Sequence, residues 1–150
     1  MLRKFNTKEG SKMKGKTMTD LHVGDTAYFQ KTMTDADVIL FAGVSGDQNP
    51  VHINDGYACN TMFGKRIVHG GLVSALFSTV LGTQLPGCGT IYLRQDSKFV
   101  KPVFIGDTIR AVCTVSEIIE EKNRVILETI AYNQHDEVVI TGVATVMPPK

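Results

Sequence analysis

Hydrophobic and polar positions divide the chain into two textures. The later part reads as β structure. Residues 90–100, 108–119, 124–133 and 138–147 are rich in Val, Ile, Thr and Tyr, the composition that suits a pleated, half-buried surface. Lys122-Asn123 and residues 134–136 supply hairpin turns, while Pro102 with Gly106-Asp107 supplies a wider connection. The pattern predicts these four strands as an antiparallel meander.

Earlier in the chain, Gly24-Asp25 turns into a short strand at 27–32. Thr34 with Asp37 three residues on has the form of a capping box and predicts a helix to about Ser45, its apolar face made by Val38, Phe41 and Ala42. Gly, Asn and Pro mark residues 46–52 as a loop. After a short polar segment at 54–63, the run from Gly71 to about Thr83 is apolar on every side and broken only by small hydroxyls. Such a helix belongs inside the domain. Gly82 and Pro86 end it. One sheet wrapped around one central helix satisfies the order, as an α+β fold.

Composition bounds the rest. A chain of 150 residues with 43% hydrophobic content makes one domain with a real core. The net charge of +1 gives no drive toward nucleic acid. Charge is uneven, however: Arg3, Lys4, Lys8, Lys12, Lys14 and Lys16 face Glu9 alone. Residues 1–16 have no periodic apolar face and are expected to be a disordered basic extension, with the domain at 17–150. A mitochondrial matrix presequence is the other reading, less favoured because such segments prefer Arg. No apolar run has the length of a membrane span, so a soluble, cytoplasmic protein is expected. Cys59, Cys88 and Cys113 are widely spaced and fit free thiols in a reducing compartment. His22, His52, His69 and His135 form no HxxxH or HExxH pattern, so no metal site is expected.

Three features carry candidate chemistry, each against a plainer explanation. Asp47 and His52 flank Asn49-Pro50. An Asp after Gly usually forms a turn, and a lone His is usually a satisfied polar group. Together, a carboxylate and an imidazole on one short loop are the parts of general acid–base chemistry on a water. His69-Gly70-Gly71 opens the apolar helix. Glycine there permits close packing, but a helix start also offers unpaired N–H groups to a substrate oxygen. Ser78 stands in the helix with Ser74 and Thr79, where back-bonding to the preceding turn is the commoner role. No GxSxG surrounds Ser78, and GxGxxG and Walker patterns are absent.

The stretch from Phe41 to His52, followed by Ile67-Val68-His69-Gly70-Gly71-Leu72, resembles the MaoC-like (R)-specific enoyl-CoA hydratases. Residues 87–107, with Tyr92, Phe99, Pro102 and Gly106-Asp107, are similar to the strand and turn that follow in that family. The resemblance runs in order from about residue 20 to 147, and Asp-x-Asn-Pro-x-His is its most specific element. It implies a hot-dog fold and a homodimer whose sheets join edge to edge. It implies hydration of a trans-2-enoyl-CoA to the (R)-3-hydroxyacyl-CoA, with Asp47 and His52 acting on one water. By the same match Gly70 N–H polarises the thioester carbonyl, and Ser78 is a supporting hydrogen-bonding group in the site. Arg66 and His69 take structural roles. Lys98 and Lys101 are candidates, on charge alone, for the coenzyme phosphates. No cofactor beyond the substrate's own carrier is needed.

The basic head lies outside the family pattern, and Gly71 stands where relatives commonly carry a larger residue, which widens the pocket. Acyl length, carrier and pathway (polyester precursor supply, fatty-acid oxidation or synthesis) stay open. The rivals are a 3-hydroxyacyl-ACP dehydratase, a hot-dog acyl-CoA thioesterase and a silent acyl-thioester binding module. A thioesterase of this fold places a carboxylate on or near the central helix, yet residues 70–83 contain no Asp or Glu. Retention of both Asp47 and His52 argues against a silent module.

Overall fold

The computed structural model describes residues 13–150. In chain order it contains β1 (Thr26–Thr32), α1 (Asp35–Ser45), α2 (Pro50–Ile53), α3 (Asp55–Ala58), α4 (Gly70–Thr83), β2 (Ile91–Phe99), β3 (Thr108–Ile119), β4 (Arg124–Tyr132) and β5 (Val138–Met147). The fold is α+β, one five-stranded antiparallel sheet in the order β1-β3-β4-β5-β2.

Its local structure follows from identifiable residues. Thr34 and Asp37 form the expected capping box: Asp37 N–H donates to Thr34 Oγ1 at 3.2 Å, and Thr34 N–H to Asp37 Oδ2 at 2.9 Å. The bonds that its carboxyl accepts hold Asp37 below its ordinary range, the Thr34 backbone N–H being the largest cause. Gly46 ends α1 at a φ of 79°, a conformation that favours glycine. The concave face of the sheet supplies Ile109, Ala111, Cys113, Val115, Val125 and Leu127 to the core, all buried. Against them α4 buries Val73, Leu76, Phe77, Val80 and Leu81. Each large apolar side chain so buried contributes roughly 1.5–3 kcal/mol.

Four expectations change. The central helix is not enclosed all round, because Gly71, Ala75, Ser78 and Gly82 form an exposed face of small residues. The last four strands are not one meander: β3-β4-β5 is, but β2 pairs with β5 and β1 with β3. The connection at 100–107 is the reason, since it crosses the end of the sheet instead of turning back on β2. Its buried Val103 accepts from Val68 N–H at 2.7 Å, and Gly106 N–H donates to Met33 at 2.7 Å. Residues 46–52 are not loop throughout. Asn49 Oδ1 accepts from Val51 N–H at 3.2 Å and Pro50 fills the first helical position, so α2 forms and carries His52.

Lastly, the domain begins before residue 17. Gly15 N–H donates to Cys88 O at 2.9 Å and Lys16 N–H to Pro86 O at 2.8 Å. A Cβ on Gly15 would stand 2.6 Å from Cys88 O, so the approach requires glycine. The remaining residues of the expected extension, 1–12, lie outside the described residues. No helix among the described residues is long and apolar enough to cross a membrane.

Candidate active site

The loop after α1 brings Asp47 to His52. Asp47 does form a turn, since its Oδ1 accepts from Asn49 N–H at 3.2 Å. That bond leaves Oδ2 to face His52 Nε2 across 3.9 Å. His52 is buried, while the Asp47 side chain is half exposed. His52 Nδ1 lies 2.8 Å from the Ile67 carbonyl oxygen. A carbonyl only accepts, so Nδ1 carries a proton, and in the neutral ring the Nε2 lone pair is left toward Asp47. The gap is too long for a direct hydrogen bond. It suits a water donating one O–H to each acceptor at about 2.8 Å.

Gly70 begins α4, so its N–H has no partner within the helix. His52, Gly70, Gly71, Phe99, Val103 and Ile140 are among the residues lining a largely apolar cavity of about 550 Å³. The volume and lining suit a small acyl group. Glycine at 70 serves packing as well: a Cβ there would stand 2.7 Å from Phe99 Cε1. At Gly71 a Cβ would meet Phe41 Cζ at 3.3 Å, so Phe41 takes part of the space that the small residue leaves.

Ser78 is not brought to this cluster. It lies two turns further along α4, roughly 12 Å from Gly70 by helical rise, on the exposed small-residue face. Lys101 lines the cavity and pairs with Glu137, whereas Lys98 lines a separate groove with Arg94 and Asp96. Arg66 is structural in its contacts. It donates to Asp35 at 2.9 Å, to Asp55 at 2.8 Å and to the His52 carbonyl at 3.4 Å, tying α1, α2 and α3 together. The bond to Asp35 is the largest cause raising its pKa.

His69, given a structural role by the family resemblance, joins the cluster itself. Its ring stacks on that of His52 with centroids 3.8 Å apart, and its Nε2 lies 2.9 Å from the Asp47 carbonyl oxygen. No metal site is expected from the sequence, yet Asp47, His52 and His69 offer ligand atoms within 4.8 Å of one another. The stacking opposes joint ligation. Ring planes 28° apart at this separation converge well beyond the roughly 2.0–2.1 Å reach of a Zn–N bond. The early signals for His69 were its place next to Gly70 and the family match, which gave it a structural role; Phe99 was visible as part of the strand that follows.

The sequence profile described as "MaoC like domain" matches residues 20–138. This chain belongs to that family. The MaoC-like chain is 47% identical over 130 residues to an "(R)-specific enoyl-CoA hydratase" of Rhodospirillum rubrum, covering 87% of this chain and 90% of the relative. It is 43% identical to a "3-hydroxybutyryl-CoA dehydratase" of Methylorubrum extorquens, covering 87% and 83%. Among solved structures, the R-hydratase PhaJ1 of Pseudomonas aeruginosa superposes with a TM-score of 0.86 at 42% identity, covering 91% of this chain and 87% of that one. The sheet folded about α4 is therefore a hot-dog fold.

Proposed function

We infer that this MaoC-like protein is a hydro-lyase that reversibly hydrates trans-2-enoyl-CoA to (R)-3-hydroxyacyl-CoA. The observation that carries the reading is the 3.9 Å gap between Asp47 Oδ2 and His52 Nε2, beside a cavity lined by His52 and Gly70. Water held between the two acceptors turns a lone pair toward the substrate's β-carbon. As the C–O bond forms, His52 Nε2 takes a proton from water and the alkene electrons move through the α-carbon onto the thioester oxygen. Gly70 N–H donates to that oxygen, where charge develops mainly in the transition state. The enolate then collapses, the α-carbon takes the proton from His52, and one water has been added. Asp47 orients the water. The steps need no cofactor beyond the coenzyme A of the substrate. Coenzyme A is favoured as carrier because the relatives above are named for CoA thioesters.

Crotonyl-CoA or a longer enoyl-CoA is expected to lose its conjugated-thioester absorbance and give the (R) product on chiral analysis. An (S) product, or release of free thiol, would overturn the reading. Hydrolysis is disfavoured by the absence of any acid on α4.

We propose the homodimer as the working assembly. The edge strand β2 exposes Ile91, Leu93 and Phe99, and pairing across a two-fold axis would cover it. Ser78 stands on the face of α4 left open in one chain, so any part it takes in the site depends on what covers that face. Light scattering is expected to report twice the chain mass at micromolar concentration, and a fully active monomer would refute the assembly. Three free thiols fit a reducing, cytoplasmic setting.

A further inference from the structure

His69 is 1% exposed, and its environment is specific. The Asp47 carbonyl at 2.9 Å from its Nε2 can only accept, so Nε2 carries the ring proton. Ser45 Oγ accepts from the Asp47 N–H at 3.1 Å. The Asp47 backbone is thus held on both sides, by His69 and by Ser45. Fixing that backbone, together with the Asn49 N–H on Oδ1, fixes where Oδ2 points. The His69 ring also lies face-on against His52 at 3.8 Å, while Phe41 holds it edge-on at 4.9 Å. The stack, with the Ile67 bond, sets the plane in which the His52 lone pair lies. One side chain therefore touches both halves of the acid–base pair without reaching the cavity itself, which His52 lines and His69 does not.

We propose that His69 is the positioning residue of hydration, its Nε2–H locating the Asp47 carboxylate and its ring orienting the His52 base. This rests on the reading that Asp47 and His52 share the reacting water. A packing residue would act on stability alone. A positioning residue acts on kcat, because a misplaced water or base costs far more in the transition state than in binding.

The test separates the donor from the ring. His69→Phe keeps a flat aromatic against His52 but has no N–H. His69→Gln has a donor at about the reach of Nε2. His69→Met matches Gln in length and lacks the donor, which guards against misfolding of the Phe variant. Each is measured per folded molecule, beside Asp47→Asn and His52→Asn. We expect the Phe and Met variants to lose on the order of 10²-fold in kcat, with KM and saturated acyl-CoA affinity changed by less than about threefold. Gln should recover at least about tenfold over Met, since the pair differs chiefly in the donor. Near-wild-type kcat in either donor-free variant overturns the proposal, as does equal kcat for Gln and Met. Should Asp47→Asn or His52→Asn retain turnover, the underlying hydratase pair fails instead, a result distinguishable from failure of His69 alone.

Discussion

Asp47→Asn and His52→Asn are each expected to lower kcat on the order of 10²–10⁴-fold with little change in melting temperature. The geometry explains why the stability cost stays small. An Asn at 47 retains an oxygen for the Asn49 N–H, so the turn survives while the carboxylate charge is lost. An Asn at 52 places its amide near the position of Nδ1, where it can still donate to the Ile67 carbonyl. What disappears is the lone pair that receives the proton. If both groups hold one water, as proposed, their effects should not add: the double variant should be barely slower than the worse single one. Steady-state kinetics on an enoyl-CoA, with thermal melts beside them, check this. Near-wild-type turnover in either variant would remove that residue from the pair.

Gly70→Ala is expected to lower kcat by roughly 10²-fold or more, comparable to loss of one oxyanion donor. In the proposed mechanism the glycine lets the thioester carbonyl approach, and it also makes room for Phe99. The new methyl would stand 2.7 Å from Phe99 Cε1, and the ring, 58% exposed, is free to swing outward. A ring displaced in this way would obstruct the cavity and add a steric contribution to the loss. The same substitution in a Phe99→Ala background isolates the amide. If Gly70 N–H holds the developing enolate, the fall in kcat should persist there, and affinity for a saturated acyl-CoA should weaken less than catalysis does. Recovery of turnover in that background, or equal losses in affinity and kcat/KM, would leave only steric packing, and the oxyanion role would be withdrawn.

Legibility in the sequence tracked how local each interaction is. The capping box of α1 involves residues three apart, and Thr34 and Asp37 announce it. The strand runs are equally plain because their composition repeats within a few residues. The order of the strands is different. Whether β2 pairs with β3 or β5 depends on where residues 100–107 travel, and that is set by Val68 and Met33, distant in sequence. α2 is a single turn, too short for any hydrophobic period to appear, so His52 read as a loop residue. Within the site, Asp47 and His52 were legible because one short loop carries both. The stack of His69 on His52 was not, since the two rings belong to separate elements brought together by the Ile67 and Asp47 carbonyls. Ser78 stood out among the helix hydroxyls, but its site role came from family resemblance alone, and it lies on the exposed face of α4.

The Ile67 carbonyl that selects the His52 tautomer belongs to the backbone, as does the Asp47 carbonyl bonded to His69. Every amino acid carries that same acceptor. Side-chain drift at position 67 therefore leaves the protonation pattern of the base intact so long as the chain keeps its path beside Val51, whose carbonyl accepts from Ile67 N–H at 3.2 Å. In the proposed mechanism, a substitution at Ile67, which lines the cavity, would change the acyl pocket while leaving the proton chemistry alone. Substrate range and reactivity become separately heritable traits in a site only a few side chains wide.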